Sequence, residues 1–151
     1  MYELWLAIHI LCAVIWVGGG VSVHVLGRWT VKRGDPERIV AFNRDAVKLG
    51  TVFYAPLSVV LIIAGVLLVE EVGYGYGDLW ITLGFLGWLF SLALGIAFYP
   101  RQARKVAAAV TAGGPAAPQA QATIGRILLV NSIEIAILLL VIVDMAVKPA
   151  A

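Results

Sequence analysis

The sequence predicts an all-α membrane protein, a bundle of four transmembrane helices, and three observations carry this prediction. Of its 151 residues, 62% are hydrophobic and only 13% are charged, whereas a soluble domain carries about a quarter charged residues. The mean hydropathy is +0.96. Four apolar segments each reach the roughly 20 residues that a helix needs to cross the hydrocarbon core, and the short alternating segments of a membrane β-barrel are missing. A single domain, 1–151, is expected at this length.

The polar segments between the predicted spans differ in charge. The four spans cover residues 4–26, 51–69, 79–99 and 127–147. The first and third loops are rich in Lys and Arg, whereas the second carries only acidic charges. Because basic residues concentrate in cytoplasmic loops, we expect both basic loops in the cytoplasm and both termini outside, in a multi-pass protein of the inner (cytoplasmic) membrane. Basic loops of this kind suit the anionic lipids of the bilayer and indicate no nucleic acid partner.

The first and third loops have different compositions. In the first loop, Asp35 is placed to cap a helix and Pro36 to begin it, and apolar residues follow at helical spacing. This pattern predicts a short cytoplasmic amphipathic helix between helices 1 and 2; an extension of the second span is the alternative. The third loop, AAAVTAGGPAAPQAQATIG, has the Ala, Gly, Pro and Gln composition of a flexible linker.

Few polar side chains fall inside the predicted spans, and each is a candidate for function because such groups are costly in hydrocarbon. They are His9, His24, Asn131, Glu134 and Asp144. The rise of a helix places His24 about 22 Å from His9 along the same span. One haem or one metal ion therefore cannot be held by both histidines of a single chain.

His9 lies at a depth comparable to that of Met145 and Asp144, which leaves several interpretations open. His9 and Met145 could be the two axial ligands of a haem, a known pairing. His9 could instead pair with its counterpart in a homodimer, or bind a five-coordinate haem alone. It could also bind no cofactor and form a hydrogen bond with a backbone carbonyl or with Asp144. His24, near the end of its span, is expected to be an interfacial histidine.

Asn131 and Glu134 are three residues apart and share one helix face. A carboxyl group at that depth is expected either to relay protons or to lie near a cofactor propionate. The alternative is a hydrogen bond between helices that serves packing alone.

Gly18, Gly19 and Gly20 remove the side chains from one turn of the first span. Such a turn lets another helix or a flat ligand approach the backbone, and helix packing is the commoner reason. Trp16 lies below the interfacial belt, so its ring is expected to line a pocket or its N–H to find a partner. The single cysteine, Cys12, excludes a disulfide within the chain.

Three motifs resemble the copper-resistance D-like membrane proteins, a group that also includes the HemJ-type protoporphyrinogen oxidases and an uncharacterised small-membrane-protein branch. The chain resembles this uncharacterised branch, a domain of unknown function, most closely. HILCAVIWVGG matches the pattern His-x6-Trp-x-Gly-Gly, which begins here at His9. PLSVVLIIAGVLL places Pro56 nine residues before Gly65, and IAFYPRQARKV closes the third span in a similar way. The chain departs from the oxidases at Gly84, where they carry a lysine.

The resemblance implies a membrane redox protein that binds haem b through His9, active in electron transfer or as an oxidase-like oxidoreductase. A quinone, a porphyrin or a redox protein would be its partner. Met145 is then the candidate second metal ligand, and the cofactor pocket would be built from Trp16, Gly18, Gly19, Asn131 and Glu134. The alternative is a membrane subunit without enzymatic activity, or a small copper-coupled or proton-coupled permease without haem.

Overall fold

The computed structural model describes residues 1–147, which form helices and no strand. The last residues of the predicted domain, 148–151, lie outside this range. In chain order, the α-helices of the described chain are α1 (Tyr2–Arg33), α2 (Pro36–Leu49), α3 (Ala55–Val72), α4 (Leu79–Ala93), α5 (Tyr99–Gly113) and α6 (Pro118–Val147).

Two π-helical turns join four of these helices into two long ones. Gly50–Tyr54 connects α2 to α3, and Leu94–Phe98 connects α4 to α5. Each turn is followed by a proline, Pro56 or Pro100. A proline ring lacks the backbone donor and crowds the carbonyl four residues earlier, and a wider turn accommodates this defect. With α1 and α6, residues 1–147 contain four helices long and apolar enough to cross a membrane, as predicted.

The helices extend beyond the predicted spans, and the prediction of a long flexible linker is wrong. α5 continues to Gly113 and α6 begins at Pro118, so only a short turn separates them. Ala and Gln are good helix formers, and α5 gains further stability by burying Val106 and Val110. The long apolar segments indicated the spans correctly but did not mark where the helices end.

The helix predicted within the first loop is α2, and it begins where the sequence predicts. The Asp35 side chain accepts a hydrogen bond from the Arg38 backbone N–H at 3.2 Å, and Pro36 occupies the first helical position. Since α2 continues through Gly50–Tyr54 into α3, it extends the second span, which was the alternative interpretation. Its position at the cytoplasmic surface, and the placement of both termini outside, stay predictions.

A compact hydrophobic core lies at the end of the bundle formed by α2, α5 and the start of α6, which we call the basic end because α2 and α5 carry most of the Arg and Lys residues. Ile39 and Val106 are 1% and 0% exposed, respectively, and pack together with three further residues. The core comprises Ile39, Val106, Val110, Ala120 and Ile124. Toward the opposite end the helices expose large apolar side chains, such as Leu11 and Leu140, as expected of a surface covered by lipid.

Small residues on α4 let α6 approach closely. Gly84 and Gly87 are buried, and a Cβ at Gly84 would overlap the methyl group of Met145. A Cβ at Gly87 would lie 2.9 Å from Cγ2 of Val141. Interfaces of this kind are typical of helix packing in membranes, where backbones must come close for van der Waals contact.

Replacing Ile39 by alanine should destabilise the basic end, because the cavity left by a fully buried side chain costs about 3 kcal/mol. The unfolding free energy of the detergent-solubilised protein would measure this loss. Ile63→Ala, at a position 52% exposed, is the matched control and should cost much less. Equal losses in the two variants would contradict the placement of the core.

Candidate functional site

A buried carboxyl group lies where α4, α5 and α6 meet. Glu134 is 8% exposed. The Ser91 hydroxyl, on α4, donates a hydrogen bond to its Oε1, and the Tyr99 hydroxyl, at the start of α5, donates to its Oε2. The Asn131 side-chain amide, one turn earlier on α6, lies 3.5 Å from the same Oε2. Three side chains thus donate to the carboxyl oxygens of Glu134.

Hydrogen bonds continue from this carboxyl group to α1. The Asn131 amide nitrogen donates to the Tyr99 hydroxyl at 3.3 Å, and its Oδ1 lies 2.9 Å from Nδ1 of His24. Because the amide oxygen can only accept, the His24 Nδ1 donates in this pair. We call the connected side chains the polar network; it consists of His24, Ser91, Tyr99, Asn131 and Glu134.

The π-helical turn explains how Ser91 and Tyr99 reach the same carboxyl group. They are eight residues apart, and in a regular α-helix their side chains would differ by about 80° around the axis. The wider turn Leu94–Phe98 takes up one extra residue. The side chains of Ser91 and Tyr99 then point in nearly the same direction around the helix axis, as residues seven positions apart do in a regular helix.

Two cavities border the polar network. The first, which we call the carboxyl cavity, has a volume of about 150 Å³ and is lined by Glu134, Ser91 and Trp16, among others. The second, the histidine cavity, has a volume of about 110 Å³ and is lined by His24 and Tyr99, among others. The residues that line both cavities are Val23, Ala46, Gly50, Gly95 and Asn131. Asn131 therefore stands at the boundary between them.

The structure brings some of the predicted site residues together. Trp16, Asn131 and Glu134 line the carboxyl cavity. Gly19 faces Tyr54, whose hydroxyl would overlap a Cβ at that position, whereas Gly18 is exposed and meets nothing within 4 Å. Among residues 1–147, a side chain at Gly19 would therefore disturb packing, whereas one at Gly18 would not.

His9 and Met145 lie apart from this site and pack against different helices. His9 Nδ1 is 3.0 Å from the carbonyl oxygen of Leu61 on α3 and donates to it, and the ring lies against Gly65. Met145 lies against Gly84 of α4. A hydrogen bond to a backbone carbonyl is one of the interpretations considered for His9. Within residues 1–147, no group of three or more His, Cys, Asp and Glu side chains is arranged to hold a metal ion.

Sequence reasoning missed Ser91, Tyr99 and Tyr54, and it treated His24 as an interfacial residue. One signal was available. A glycine followed by Phe-Tyr and a proline occurs twice, as GTVFYAP and GIAFYP, and each motif overlaps one of the two π-helical turns. In each, the Phe and Tyr rings meet edge to face with centroids 5.3 Å apart. Tyr54, the tyrosine of the first copy, lines the carboxyl cavity. Tyr99, the tyrosine of the second copy, donates a hydrogen bond to Glu134.

Four long apolar helices in the described chain, around a partly buried polar network, define a multi-pass integral membrane protein of the helical-bundle class. The chain belongs to the family described as "Predicted integral membrane protein (DUF2269)", whose family model matches residues 3–149. No curated protein and no solved structure matches the chain. Membership of this family supports the resemblance to an uncharacterised branch of membrane proteins. It does not support the copper-resistance D-like or HemJ-like assignment.

Tyr99→Phe should destabilise the protein by about 1 kcal/mol, because it removes a donor from a buried carboxyl group in a membrane interior. Tyr54→Phe removes the corresponding hydroxyl of the repeat, which does not contact Glu134, and should cost less. Unfolding free energies of both variants, each combined with Glu134→Gln, complete a double-mutant cycle. A coupling energy with Glu134 as large for Tyr54 as for Tyr99 would contradict the network.

Proposed function

We propose that this protein is a small proton-coupled membrane permease in which Glu134 is the group that gains and loses the proton. The observation that carries this proposal is the polar network, which links a buried carboxyl group to His24 through Asn131 and Tyr99. Ionisable groups in the interior of a membrane bundle are costly and mark ion or proton pathways.

The chemistry of the network suits proton transfer. Tyr99 contacts Glu134 directly, and both groups can donate or accept a proton. The Asn131 amide holds Tyr99 and His24 in place and is not itself a relay. Tyr99 and His24 also line the histidine cavity, whose lining is mostly apolar but includes four polar side chains. The cavity is large enough for bridging water, and these side chains could hydrogen-bond to it. Protons would pass between His24 and Tyr99 through that cavity.

The direction of proton entry follows from the charge of the loops. His24 lies four residues before Arg28 on α1, toward the basic end of the bundle. With the basic loops in the cytoplasm of a cell with an inner membrane, His24 would exchange protons with the cytoplasmic side. The carboxyl cavity would then hold the transported substrate next to Glu134.

Infrared difference spectroscopy of the purified protein should detect proton exchange at Glu134. On acidification, the wild type should gain a protonated-carboxyl band that is lost in Glu134→Gln, because the amide cannot take up the proton. His24→Gln should keep the band but slow its rise after a pH jump, since the proton loses its entry group.

Ser22→Ala is the control for this measurement, because Ser22 is exposed on α1 and bonds only the Gly18 carbonyl. The same band in wild type and Glu134→Gln would sink the proposal. An unchanged rate in His24→Gln would remove His24 from the pathway and leave Glu134 as the exchanging group.

A haem b-binding redox function through His9 is the second candidate, and one observation favours it. The Nδ1 of His9 donates to the Leu61 carbonyl, and ligating histidines use their second nitrogen in this way. The resemblance to copper-resistance D-like and HemJ-type proteins implies the same cofactor, with a quinone, porphyrin or redox protein as partner.

The residues of one chain do not fit an enclosed haem. The cavities of about 150 and 110 Å³ are below the roughly 300 Å³ of the smallest common ligand pockets. Met145, the candidate second ligand, is packed against Gly84. The haem hypothesis therefore requires a homodimer, in which the haem would lie at the lipid-facing surface and be bound by the His9 residues of two copies.

An oxidised and dithionite-reduced absorption spectrum of the purified protein tests this second candidate. If haem b is bound by His9, a Soret band with sharp bands in the reduced form should be present in the wild type and lost in His9→Ala. His24→Ala is the matched control and should keep the bands. A colourless protein after expression with a haem precursor would contradict haem binding.

A further inference from the structure

We propose that the carboxyl cavity binds a small organic cation of the tetramethylammonium type, which competes with a proton for Glu134. This inference rests on the proposed function, because it takes Glu134 as the exchanging group and names the substrate class. It depends on the charge, the aromatic lining and the size of the cavity.

The charge of the lining favours a cation. Among the described residues that line the cavity, Glu134 is the one with an ordinarily charged side chain, and none is Lys, Arg or His. The ion pairs formed within residues 1–147 all lie elsewhere, so no basic side chain there balances Glu134. A carboxylate in low-dielectric surroundings without a countercharge is strongly unfavourable. It is stabilised by taking up either a proton or a cation.

The aromatic and aliphatic lining favours an organic cation over a metal ion. Trp16 and Tyr54 present rings from α1 and from the first π-helical turn, and aromatic faces attract ammonium groups. A metal ion would need several oxygen ligands in place of its water. Most of the described lining is aliphatic or aromatic, and Glu134 contributes its one carboxyl group.

The size of the cavity suits a small cation. Its volume of about 150 Å³ equals that of an engineered apolar cavity that binds benzene. Tetramethylammonium has fewer heavy atoms than benzene and a methyl-covered surface, so it fits this space without its hydration shell. Larger drug-like cations need pockets of at least roughly 300 Å³ and are not expected to enter.

Competition with protons follows from the groups that face Glu134. α4 contributes the Ser91 hydroxyl, α5 the Tyr99 hydroxyl and α6 Asn131, which in turn holds His24 of α1. The first π-helical turn contributes Tyr54 to the same cavity. Tyr54 and Tyr99 are neutral in their ordinary state, so Glu134 supplies the negative charge. Acidification should therefore weaken cation binding, and binding from the protonated state should release a proton.

Calorimetric titration of the detergent-purified full chain with tetramethylammonium chloride tests the inference. Glu134→Gln should weaken binding at least tenfold, because the countercharge is lost. Trp16→Leu should weaken it about thirtyfold, the value of a desolvated cation–aromatic contact. Ser22→Ala should bind like the wild type, and tert-butanol, a neutral molecule of similar shape, should bind none of them measurably.

The outcomes separate this inference from the proposed function. Failure of the wild type to bind tetramethylammonium, or equal affinity for tert-butanol, would overturn the cation site, while the infrared band of Glu134 would still decide proton exchange. If Glu134→Gln does not fold, as judged by circular dichroism and gel filtration, Glu134→Asp replaces it. The aspartate variant should retain binding and its weakening by acid, and loss of either would overturn the inference.

Discussion

The structure depends on one constraint, the burial of a carboxyl group in an apolar bundle. Glu134 needs hydrogen-bond donors, and three come from three different places in the chain, Ser91, Tyr99 and Asn131. Burying a carboxyl group without hydrogen-bond partners costs far more free energy than burying one that is hydrogen-bonded. The relative positions of α4, α5 and α6 are therefore coupled through a single side chain, and His24 extends this coupling to α1.

The π-helical turns and the glycines make that arrangement compatible with close helix packing. Gly50 and Gly95 begin or lie within the two wide turns and line both cavities. The turns leave space in the bundle interior where a regular helix would fill it. Gly84 and Gly87 instead bring α4 against α6. The interior thus combines a tightly packed seam between α4 and α6 with two cavities that border the polar network.

Part of this architecture could be predicted from the sequence and part could not. Hydropathy indicated four membrane helices, and helical spacing placed Asn131 and Glu134 on one face. Helical spacing did not predict Tyr99 as a partner of Glu134, because in a regular helix Tyr99 and Ser91 point in different directions. The π-helical turn brings their side chains to the same carboxyl group. Partners far apart in sequence, such as His24 and Asn131, depend on how whole helices pack. The pairing of His9 with Met145 rested on depth alone, which does not specify the direction that a side chain faces.

The most direct test of the central claim, that the buried polar residues act as one connected unit, is the nitrogen NMR spectrum of the two histidine side chains. The chain has only His9 and His24, so a His9→Ala variant assigns both. In Glu134→Gln, the ring nitrogen signals of His24 should move while those of His9, bonded to the Leu61 carbonyl, should not. Unchanged His24 signals, or equal shifts in both histidines, would contradict the network.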